Sequence, residues 1–365
     1  MANVSDVHLG HPNTTTVEII ANLRKAFPDN AETGELDIIW ISGDLFDRLL
    51  YLSDPNVYEA RLWMHSFLRM CKRRDIVVRV LEGTPSHDWG QPRIFSEIND
   101  MAETGADIKY VPNLSIEYIE RFDINVLYVP DEWRPETDET WQEVVALLQA
   151  HGLSKVDYAI MHGSFPHQLP AHVNAPTHDP DRYLSIVRHF IFIGHVHKHS
   201  IFQRILVPGS FDRLCHGEEG PKGHLRVTVY GDDDYEIVFV ENKGAKIYRT
   251  INCIGMELDE SLSMIDSIVK DLPAGSYLRI EADKEQAILV NLDVLRAKYP
   301  TCVWSTKVSA KTVTGKEMLV DMRSMYKGIA LTKDNLGKLM LERLSAKVSD
   351  PFLLERCREL LQEVI

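Results

Sequence analysis

The stretch LDIIWISGDLFDR, residues 36–48, is an apolar run that ends abruptly in a glycine and an aspartate. Its apolar residues do not alternate with polar ones, which is the pattern of a strand that is covered on both faces. Gly43 and Asp44 follow the run directly, and Asp47 comes one turn later. The stretch therefore predicts a buried strand of an α/β sheet whose carboxyl end carries acidic side chains.

Four further segments end in the same way, with a histidine or an aspartate directly after an apolar strand. They are NVSDVHLG (3–10), VVRVLEGTPSHDWGQ (77–91), VDYAIMHGSF (156–165) and HFIFIGHVHKHS (189–200). Amphipathic helical patterns at 57–74 and 138–152 separate several of these strands, so we expect a sheet layered between helices. Ligands bind at the carboxyl ends of strands in such sheets, and we expect the five strand ends to converge.

Each motif alone has an ordinary explanation, because an aspartate after a strand is commonly a helix cap or a turn residue. A single histidine on a loop is commonly a surface residue. The GHVH motif at 194–197 is more specific, and five such motifs in chain order are difficult to attribute to chance. The set as a whole indicates one site built from aspartate and histidine side chains.

The composition is that of an ordinary globular protein, with 365 residues of which 44% are hydrophobic and 26% are charged. Such a length is typical of about two domains. The five cysteines are scattered without a CxxC pair, which argues against a disulfide framework or a zinc ribbon. No apolar run is long enough to span a bilayer, and the first residues lack a secretory signal pattern. We therefore expect no membrane association and a reducing, cytoplasmic location.

The formal net charge of −14 argues against nonspecific nucleic-acid binding, which needs clustered lysine and arginine. Carboxylates that hold metal ions count as negative in this sum, although the bound ions offset them. The charge therefore weakens a DNA-binding interpretation without excluding it.

The ordered set of motifs resembles the calcineurin-like metallophosphoesterases. That family uses D-x-H, G-D-x-x-D, G-N-H-D/E, a single histidine after a strand, and G-H-x-H. The corresponding residues here are Asp6-x-His8, Gly43-Asp44-x-x-Asp47, Gly83 with His87-Asp88, His162, and Gly194-His195-x-His197. The resemblance covers roughly residues 1–230 and implies a layered α/β sandwich of mixed sheets between helices.

The resemblance also implies a site for two divalent metal ions. Asp6, His8 and His197 would hold one ion, His162 and His195 would hold the other, and Asp44 would bridge them. Mixed aspartate and histidine sites suit Mn²⁺, Fe or Zn²⁺, and we expect Mn²⁺, with Mg²⁺ as a further possibility. In the family's chemistry a metal-bound hydroxide attacks phosphorus, and the motif residues His87 and Asp88 are the expected catalytic pair, His87 assisting the leaving oxygen.

One departure from the family pattern falls on the second metal ion. Ser86 stands where the family has asparagine next to the histidine, and Thr84 and Pro85 are inserted after the glycine. The amide oxygen is missing, and the replacement ligand is a hydroxyl of Ser86 or Thr84, or a water. Since a neutral hydroxyl is a weaker ligand than an amide carbonyl, we expect the second site to bind metal less tightly.

Two downstream segments resemble the SbcD-type nucleases, the exonuclease subunits of a double-strand-break repair complex. RILVPGSFDRLCHGEEGPKGHLRVTVY (204–230) contains P-G-S-x-x-R and then G-E-E-x-x-K-G, and YVPDEW (128–133) follows a strand in the same way as in that family. The resemblance implies a DNA exonuclease or endonuclease. The residues expected to contact substrate are Asp47, Trp89, Lys198 and Arg213, with Arg204 as a further phosphate contact.

The chain divides by pattern into three parts: a nuclease domain at 1–246, a small α+β domain at 247–330 and a helical tail at 331–365. The resemblance implies that the α+β domain caps DNA. It also implies that a pair of amphipathic helices within 332–365 docks on an SbcC-type coiled-coil ATPase. We further expect DNA ends as substrate and a homodimer of the nuclease subunit, with 57–74 as its candidate interface.

Two other functions remain open from the sequence. One is a stand-alone phosphodiesterase or phosphatase that acts on a small nucleotide or a phosphoprotein. The other is a non-catalytic scaffold that binds DNA ends, for which the altered asparagine position is the argument. Against the scaffold, every other expected ligand is present.

Overall fold

The computed structural model describes residues 1–309 apart from 171, 172, 174, 284, 285, 287 and 289–291. Residues Met1–Val308 form one compact unit. The helical tail expected at 331–365, the ATPase-binding pair within it and residues 310–330 of the expected capping domain lie outside the described residues.

The strands of the described residues are β1 (Ala2–Val4), β2 (Ile38–Ser42), β3 (Val77–Leu81), β4 (Ile108–Val111), β5 (Ser115–Ile119), β6 (Ile124–Val129), β7 (Val156–His162), β8 (Val187–Gly194), β9 (Ser200–Phe202), β10 (Ile205–Val207), β11 (Gly223–Val229), β12 (Tyr235–Glu241), β13 (Tyr248–Asn252), β14 (Tyr277–Ala282) and β15 (Val303–Val308). The helices of the same residues are α1 (Thr16–Ala26), α2 (Ala31–Gly34), α3 (Pro55–Arg74), α4 (Pro85–Asp88), α5 (Ile94–Met101), α6 (Thr137–Ala150), α7 (Pro180–Ile186), α8 (Leu258–Val269) and α9 (Leu292–Lys298). Short 3₁₀ turns cover Gln91–Arg93, Glu120–Phe122 and Pro166–Gln168.

These strands form two six-stranded mixed sheets and one three-stranded sheet. The first sheet has the order β12-β11-β1-β2-β3-β4, and the second has the order β5-β6-β7-β8-β10-β9. Within each six-stranded sheet the neighbouring strands β1 to β4, and β6 to β8 with β10, run parallel. The five strands expected from the sequence are therefore present as β1, β2, β3, β7 and β8.

The two six-stranded sheets pack face to face, and each is covered by helices on its other face. Along β2, Ile38 and Trp40 point into the layer between the sheets, where they join Tyr128 and Ile160 of the second sheet. Their neighbours in β2 point the opposite way, towards buried side chains of α1, α3 and α5. Helices α6 and α7 cover the outer face of the second sheet. The order helix–sheet–sheet–helix confirms the layered α/β arrangement, and it explains why both faces of β2 are apolar.

A charged side chain, Arg79, lies inside the layer between the sheets. Arg79 on β3 is only 5% exposed, and its guanidinium Nε lies 3.0 Å from a carboxylate oxygen of Glu117 on β5. The same carboxylate accepts a hydrogen bond from the Tyr128 hydroxyl at 2.9 Å, and Arg79 also donates to Asp107 at 2.8 Å. These partners satisfy the buried charge and tie the first sheet to the second.

Helices α3 and α6 occupy the segments where the sequence pattern predicts them. Asp54 caps α3 by accepting from the backbone N–H of Asn56, and Pro55 opens the helix. Asp75 ends α3 in the left-handed conformation, with φ at 58°. Because α3 follows β2 and covers the first sheet, it returns the chain so that β3 pairs parallel to β2.

The third sheet, β13-β14-β15, has its own small core with α8 and α9. Its strands are parallel, and residues Ile251, Leu278 and Ile280 are buried under α8. Because these parallel strands alternate with the helices, the unit is an α/β arrangement and not the α+β one expected after residue 247. Among the described residues, no helix is long and apolar enough to cross a bilayer.

A buried histidine of the first sheet makes the fold sensitive to acid. His224 on β11 is 1% exposed, its ring centroid lies 4.8 Å from that of Phe27, and its Nε2 accepts from Arg226 at 3.4 Å. Burial, followed by the charge of Arg226, lowers the pKa of His224 to about 3. When the pKa of a group is lower in the folded protein than in the unfolded chain, its contribution to stability is complete above the unfolded-state pKa. This contribution is lost as the pH falls from the unfolded-state pKa through the folded-state pKa.

We therefore expect the free energy of unfolding to fall by about 2 kcal/mol more in the wild type than in His224→Gln between pH 7.5 and pH 5. Glutamine does not titrate and keeps an acceptor for Arg226. Urea denaturation at the two pH values measures the difference, with His151→Gln as the control for an exposed histidine. Equal losses in the wild type and His224→Gln would contradict the prediction.

Candidate metal centre

The carboxyl ends of the two six-stranded sheets meet at one edge of the sandwich. The imidazole Nδ1 of His162, the last residue of β7, donates to the carbonyl of Ser42, the last residue of β2, at 2.7 Å. The loops after β1 and β8 also come together, because the backbone N–H of His195 donates to the Asp6 carboxylate at 2.9 Å. The loop after β3 joins them, because the backbone N–H of Thr84 donates to Oδ1 of Asp44 at 2.6 Å, so the five strand ends converge as the sequence predicts.

Four of the expected ligands have a backbone conformation that residues other than glycine rarely adopt. Asp6, His8, Asp44 and His195 have φ values of 50°, 54°, 51° and 96°. Such conformations cost free energy and persist where surrounding contacts hold them. Here the loops after β1 and β2 hold each other, since the N–H groups of Val7 and His8 both donate to the Asp44 carbonyl, at 2.8 and 3.1 Å.

Two glycines allow these loops to approach one another. A methyl group on Gly43 would lie 2.2 Å from Nδ1 of His162, and a methyl group on Gly83 would lie 2.1 Å from the backbone nitrogen of Asp44. Gly43 also has a φ of 85°. The glycines of the G-D and G-x-x-x-H-D motifs are therefore needed for packing of the site, independently of any chemistry.

The first cluster consists of Asp6, His8 and His197. The Nε2 atoms of His8 and His197 lie 3.1 Å apart, and Nε2 of His197 lies 3.8 Å from Oδ1 of Asp6. Asp6 and His8 are buried, whereas His197 is partly exposed. These are the three residues expected to share one ion.

The second cluster consists of Asp44, His162 and His195. Oδ1 of Asp44 lies 3.3 Å from Nε2 of His162, and its Oδ2 lies 4.0 Å from Nε2 of His8 in the first cluster. Asp44 thus stands between the two clusters, in the position expected of a bridging ligand. The His195 side chain is 41% exposed, so this cluster is open on one side.

Hydrogen bonds away from the cluster fix the orientation of the His197 ring. Nδ1 of His197 donates to Oε1 of Glu218 at 2.8 Å, and the other oxygen of Glu218 lies 3.0 Å from the ammonium of Lys222. Lys222 is 3% exposed and also donates to the His197 carbonyl at 2.8 Å. Histidines that bind metals commonly donate their other ring nitrogen to a carboxylate or a carbonyl in this way. Sequence reasoning used Glu218 and Lys222 only as parts of a motif.

This arrangement fits metal ions. Because His197 donates through Nδ1, its Nε2 carries a lone pair that points at His8 and Asp6. A cation between these donors satisfies all three, and imidazole with carboxylate suits Mn²⁺, Fe or Zn²⁺. Several buried histidine and aspartate groups are therefore able to hold metal ions.

The electrostatics of the two clusters favour negative carboxylates. Burial raises the pKa of Asp44, but His162 and then His8 outweigh it and hold that pKa well below its usual range. Burial likewise raises the pKa of Glu218, yet His197 and Lys222 lower it to about 2. Both groups are therefore charged at neutral pH and available to a cation or its histidine ligands.

Thr84 occupies the place where the family pattern expects an asparagine ligand, and Asp131 lies next to it. The Thr84 hydroxyl lies 3.3 Å from Oδ2 of Asp44, 3.4 Å from His162 and His195, and 3.1 Å from Oδ2 of Asp131. Oδ2 of Asp131 is also 3.5 Å from Nδ1 of His195. Ser86 is exposed, and its carbonyl accepts from the Trp89 indole, so the structure does not bring Ser86 into the cluster.

Asp131 is the residue that sequence reasoning missed at this site. It follows β6 after a single proline, so it also stands just past the carboxyl end of a buried strand. That signal was present in YVPDEW, but the segment was interpreted only as part of a resemblance. With a carboxylate beside the second cluster, the reason for expecting weak metal binding there no longer applies.

His87 lies beside the first cluster, in a third group with His8 and Asp47. Its Nδ1 donates to the Asp47 carbonyl at 2.6 Å, and its ring centroid is 5.0 Å from that of His8. The Asp47 carboxylate faces Nδ1 of His8 at 3.5 Å. Asp47 thus orients His87 through its carbonyl and places its carboxylate beside His8, a role that accounts for its position without a contact to substrate.

Asp88 is fully buried, and both of its oxygens accept from backbone N–H groups. Oδ1 accepts from Phe46 at 2.9 Å and Oδ2 accepts from Gly83 at 2.8 Å. Burial raises the pKa of Asp88 well above its ordinary value, and the charge of Asp44 raises it further. Since it ties the loops after β2 and β3 together and is enclosed, we assign Asp88 a positioning role rather than the catalytic role expected from the sequence.

The expected substrate contacts divide into two groups. Trp89 is 58% exposed and Lys198 is exposed, so both are accessible near the site. Arg213 donates to the carbonyls of Gly220, Ala245 and Lys246, and Arg204 donates to carbonyls around the start of β8. These bonds engage both guanidinium groups within the fold, which leaves Trp89 and Lys198 as the candidates for substrate contact.

No protein-family model and no curated protein matches this chain. Among solved structures, the chain is similar to the crystal structure of TT1561 of Thermus thermophilus, with 13% identity and a TM-score of 0.37 over 65% of this chain and 97% of that one. A second solved chain is 14% identical, with a TM-score of 0.36 over 61% of this chain and 92% of its own length. Likeness at this level supports no conclusion about function, which rests instead on the geometry of the site.

We expect Glu218→Ala to weaken Mn²⁺ binding at the first cluster by about 10- to 100-fold, because His197 loses the acceptor that fixes its ring. Glu218→Gln, whose amide oxygen still accepts from Nδ1, should retain more of the affinity. Isothermal titration calorimetry measures both, with Glu219→Gln as the matched control, since Glu219 bonds to Thr250 and Arg249 instead. Unchanged Mn²⁺ affinity in folded Glu218→Ala would contradict this role.

We expect Asp131→Asn to lower the Mn²⁺ affinity of the second cluster, since it removes a negative charge beside His195 while keeping an oxygen ligand. Thr84→Val should have the smaller effect, because a neutral hydroxyl contributes little to binding a hard divalent ion. The same calorimetric titration separates the two variants. A larger loss in Thr84→Val would show that the hydroxyl, and not the carboxylate, replaces the asparagine.

Proposed function

We propose that this chain is a metallophosphoesterase that uses two divalent metal ions, with Mn²⁺ favoured by its donor set, to hydrolyse phosphodiesters. The observation that carries the proposal is the position of Asp44 between an Asp6–His8–His197 cluster and a cluster with His162 and His195. A carboxylate shared between two ions is the core of a two-metal site for phosphoryl displacement. The layered arrangement of two mixed sheets between helices supports the same family.

Two such ions, when bound, would supply a nucleophile at neutral pH and neutralise charge on the phosphate. The residues of the chain then have separate tasks. Asp6, His8, Asp44, His162, His195 and His197 hold the ions. Asp88 and Gly83 fix the loop that carries His87, and the Asp47 carbonyl fixes its ring. Because Nδ1 of His87 is engaged, Nε2 is the atom left to hold a proton for the leaving oxygen.

Within this family we propose a DNA exonuclease or endonuclease subunit of SbcD type. The third sheet supports this choice, because it is attached to the segment that follows the metal-binding histidines. Thr250 on β13 donates its N–H to Glu219 at 2.6 Å, and the Tyr248 hydroxyl donates to the Leu214 carbonyl at 3.3 Å. An enzyme for a small nucleotide has no need of a second folded unit attached to this segment, whereas a DNA-capping domain would use such a position.

We also propose two protein partners. An SbcC-type coiled-coil ATPase would bind the amphipathic pair within 332–365 and would supply DNA-binding surface that a chain of net charge −14 lacks. A second nuclease subunit would pack on α3, whose side chains Tyr58 and Leu62 are 64% and 45% exposed. Exposed apolar groups on one helix are a feature of protein interfaces.

A non-catalytic scaffold is less well supported by the site. A decayed centre is not expected to keep left-handed backbone at several ligand positions, because such conformations cost stability without a function to maintain them. The residues that orient the histidines, Glu218, Lys222 and the Ser42 carbonyl, are also in place.

The decisive experiment is Mn²⁺-dependent cleavage of DNA ends by the full chain, with and without its ATPase partner. We expect His87→Ala to lower kcat by about 10²- to 10⁴-fold, the usual contribution of a general acid, while calorimetry still finds both ions bound. Asp44→Ala should lose cleavage and Mn²⁺ binding together, because it removes the shared ligand.

His151→Ala, a change at an exposed histidine after α6, serves as the control and should cleave like the wild type. Loss of one ion in His87→Ala would make His87 a metal ligand instead of a proton donor. A wild-type protein that binds Mn²⁺ but cleaves no DNA, even with its partner, would favour the scaffold.

A further inference from the structure

A histidine that belongs to neither cluster, His11, lies one turn after His8 on the loop that follows β1. The backbone N–H of His11 donates to the His8 carbonyl at 3.1 Å, which closes a turn. Such a turn brings its first and fourth Cα atoms within about 7 Å of each other. The partly exposed ring of His11 also interacts electrostatically with His8, His197, Asp47 and Glu218. His11 therefore lies beside the first cluster, on a side that solvent reaches.

The hydrogen bonds of His11 fix which ring nitrogen carries the proton. Its Nδ1 accepts from the backbone N–H groups of Asn13 and Thr14, both at 3.2 Å. Because a backbone N–H can only donate, Nδ1 holds a lone pair and the proton of the neutral ring is on Nε2. A nitrogen that carries a proton cannot bind a metal ion, so His11 differs in kind from the histidines of the two clusters.

The Nε2–H group of His11 is a hydrogen-bond donor without an acceptor among the residues that the structure describes. The two nearby carboxylates face other partners, since Glu218 accepts from His197 at 2.8 Å and Asp47 faces His8 at 3.5 Å. The ring is partly exposed, so its free N–H is open to a ligand at the first cluster. Charged oxygens, such as those of a phosphate, are the strongest acceptors for such a donor.

The loop that carries His11 is held by distant parts of the chain. The Thr14 hydroxyl donates to the Arg213 carbonyl at 2.9 Å, and the Asn13 carbonyl accepts from the Lys246 ammonium at 2.7 Å. Both contacts fix the backbone whose N–H groups hold the His11 ring. A donor that is oriented before the ligand arrives gains affinity, because less conformational freedom is lost on binding.

From these features we infer that His11 contacts the substrate, by donating from Nε2 to a non-bridging oxygen of the phosphate that lies at the first cluster. This inference rests on the proposed function for its substrate and adds a residue to the site. The task differs from that of His87, which holds a proton for the leaving oxygen, because His11 binds the phosphate and keeps its own proton.

Two substitutions separate contact with phosphate from a purely structural role of His11. His11→Asn keeps an oxygen that can accept from the N–H groups of the loop, as asparagine commonly does in turns, but it lacks the donor at Nε2. His11→Ala removes both. We expect both variants to bind inorganic phosphate about 10-fold more weakly than the wild type, the scale of one hydrogen bond to a charged group. Calorimetry on the Mn²⁺-loaded full chain measures this affinity.

The control is His151→Asn, the same change at an exposed histidine, which should bind phosphate like the wild type. The Mn²⁺ affinity of His11→Asn should also be unchanged, because Nε2 is not a ligand, and loss of an ion in this variant overturns the inference. Weaker phosphate binding in His11→Ala alone, with wild-type affinity in His11→Asn, overturns it as well, since only the acceptor of the loop would then matter.

Cleavage of DNA ends in Mn²⁺ separates failure of this inference from failure of the nuclease assignment. We expect kcat/KM to fall by about 10-fold in His11→Asn, in step with the loss of phosphate affinity. Cleavage that is equal in His11→Asn and the wild type overturns the inference and leaves the nuclease function standing. A wild type that cuts no DNA, but whose phosphate affinity depends on His11, supports the contact and overturns the nuclease function instead.

Discussion

The structure depends on one close approach, in which the carboxyl ends of the parallel strands of two separate mixed sheets meet around the Asp44 carboxylate. Asp44 comes from the first sheet and His162 from the second, and their side chains lie 3.3 Å apart in a buried environment. Burying charged groups is costly unless each has a partner, so the two sheets cannot separate at this edge without exposing or unpairing them. The same contact therefore holds the two sheets together and sets the geometry of the candidate metal centre.

The same constraint explains where backbone strain and glycine occur. Asp6, His8 and Asp44 adopt left-handed conformations because their loops hydrogen-bond to one another, and Gly43 and Gly83 leave room for that contact. A bound ion would offset this strain, since ligands that bind only the folded state stabilise it by mass action.

The replaced asparagine changes the character of the second cluster. A neutral amide is absent, and a hydroxyl and a carboxylate occupy its surroundings, so the second cluster carries more negative charge than the family pattern implies. Asp131 also forms one wall of an adjoining cavity of about 420 Å³. Asp131 is therefore expected to affect both the binding of the second ion and the charge of the group that fits in the adjoining cavity.

The sequence by itself determined the five strands that end at the site, the layered α/β class and six of the residues that the two clusters bring together. It could do so because an apolar run followed by aspartate or histidine is a local signal, and parallel strands place such signals at one edge. The sequence did not separate Thr84 from Ser86, because both hydroxyls lie within three residues and only the short helix α4 decides which one faces inward. It also assigned Asp88 and Asp47 roles in chemistry or substrate contact, whereas the contacts that position loops and rings come from distant segments. Asp131 carries the same strand-end signal, but its contact with His195, 64 residues away along the chain, is set only by packing. The roles of Glu218 and Lys222 became visible only in the tertiary structure, since their partner His197 lies 21–25 residues away. Periodicity reports which face of an element is buried, but which side chains meet across two sheets is set by packing that no local pattern encodes.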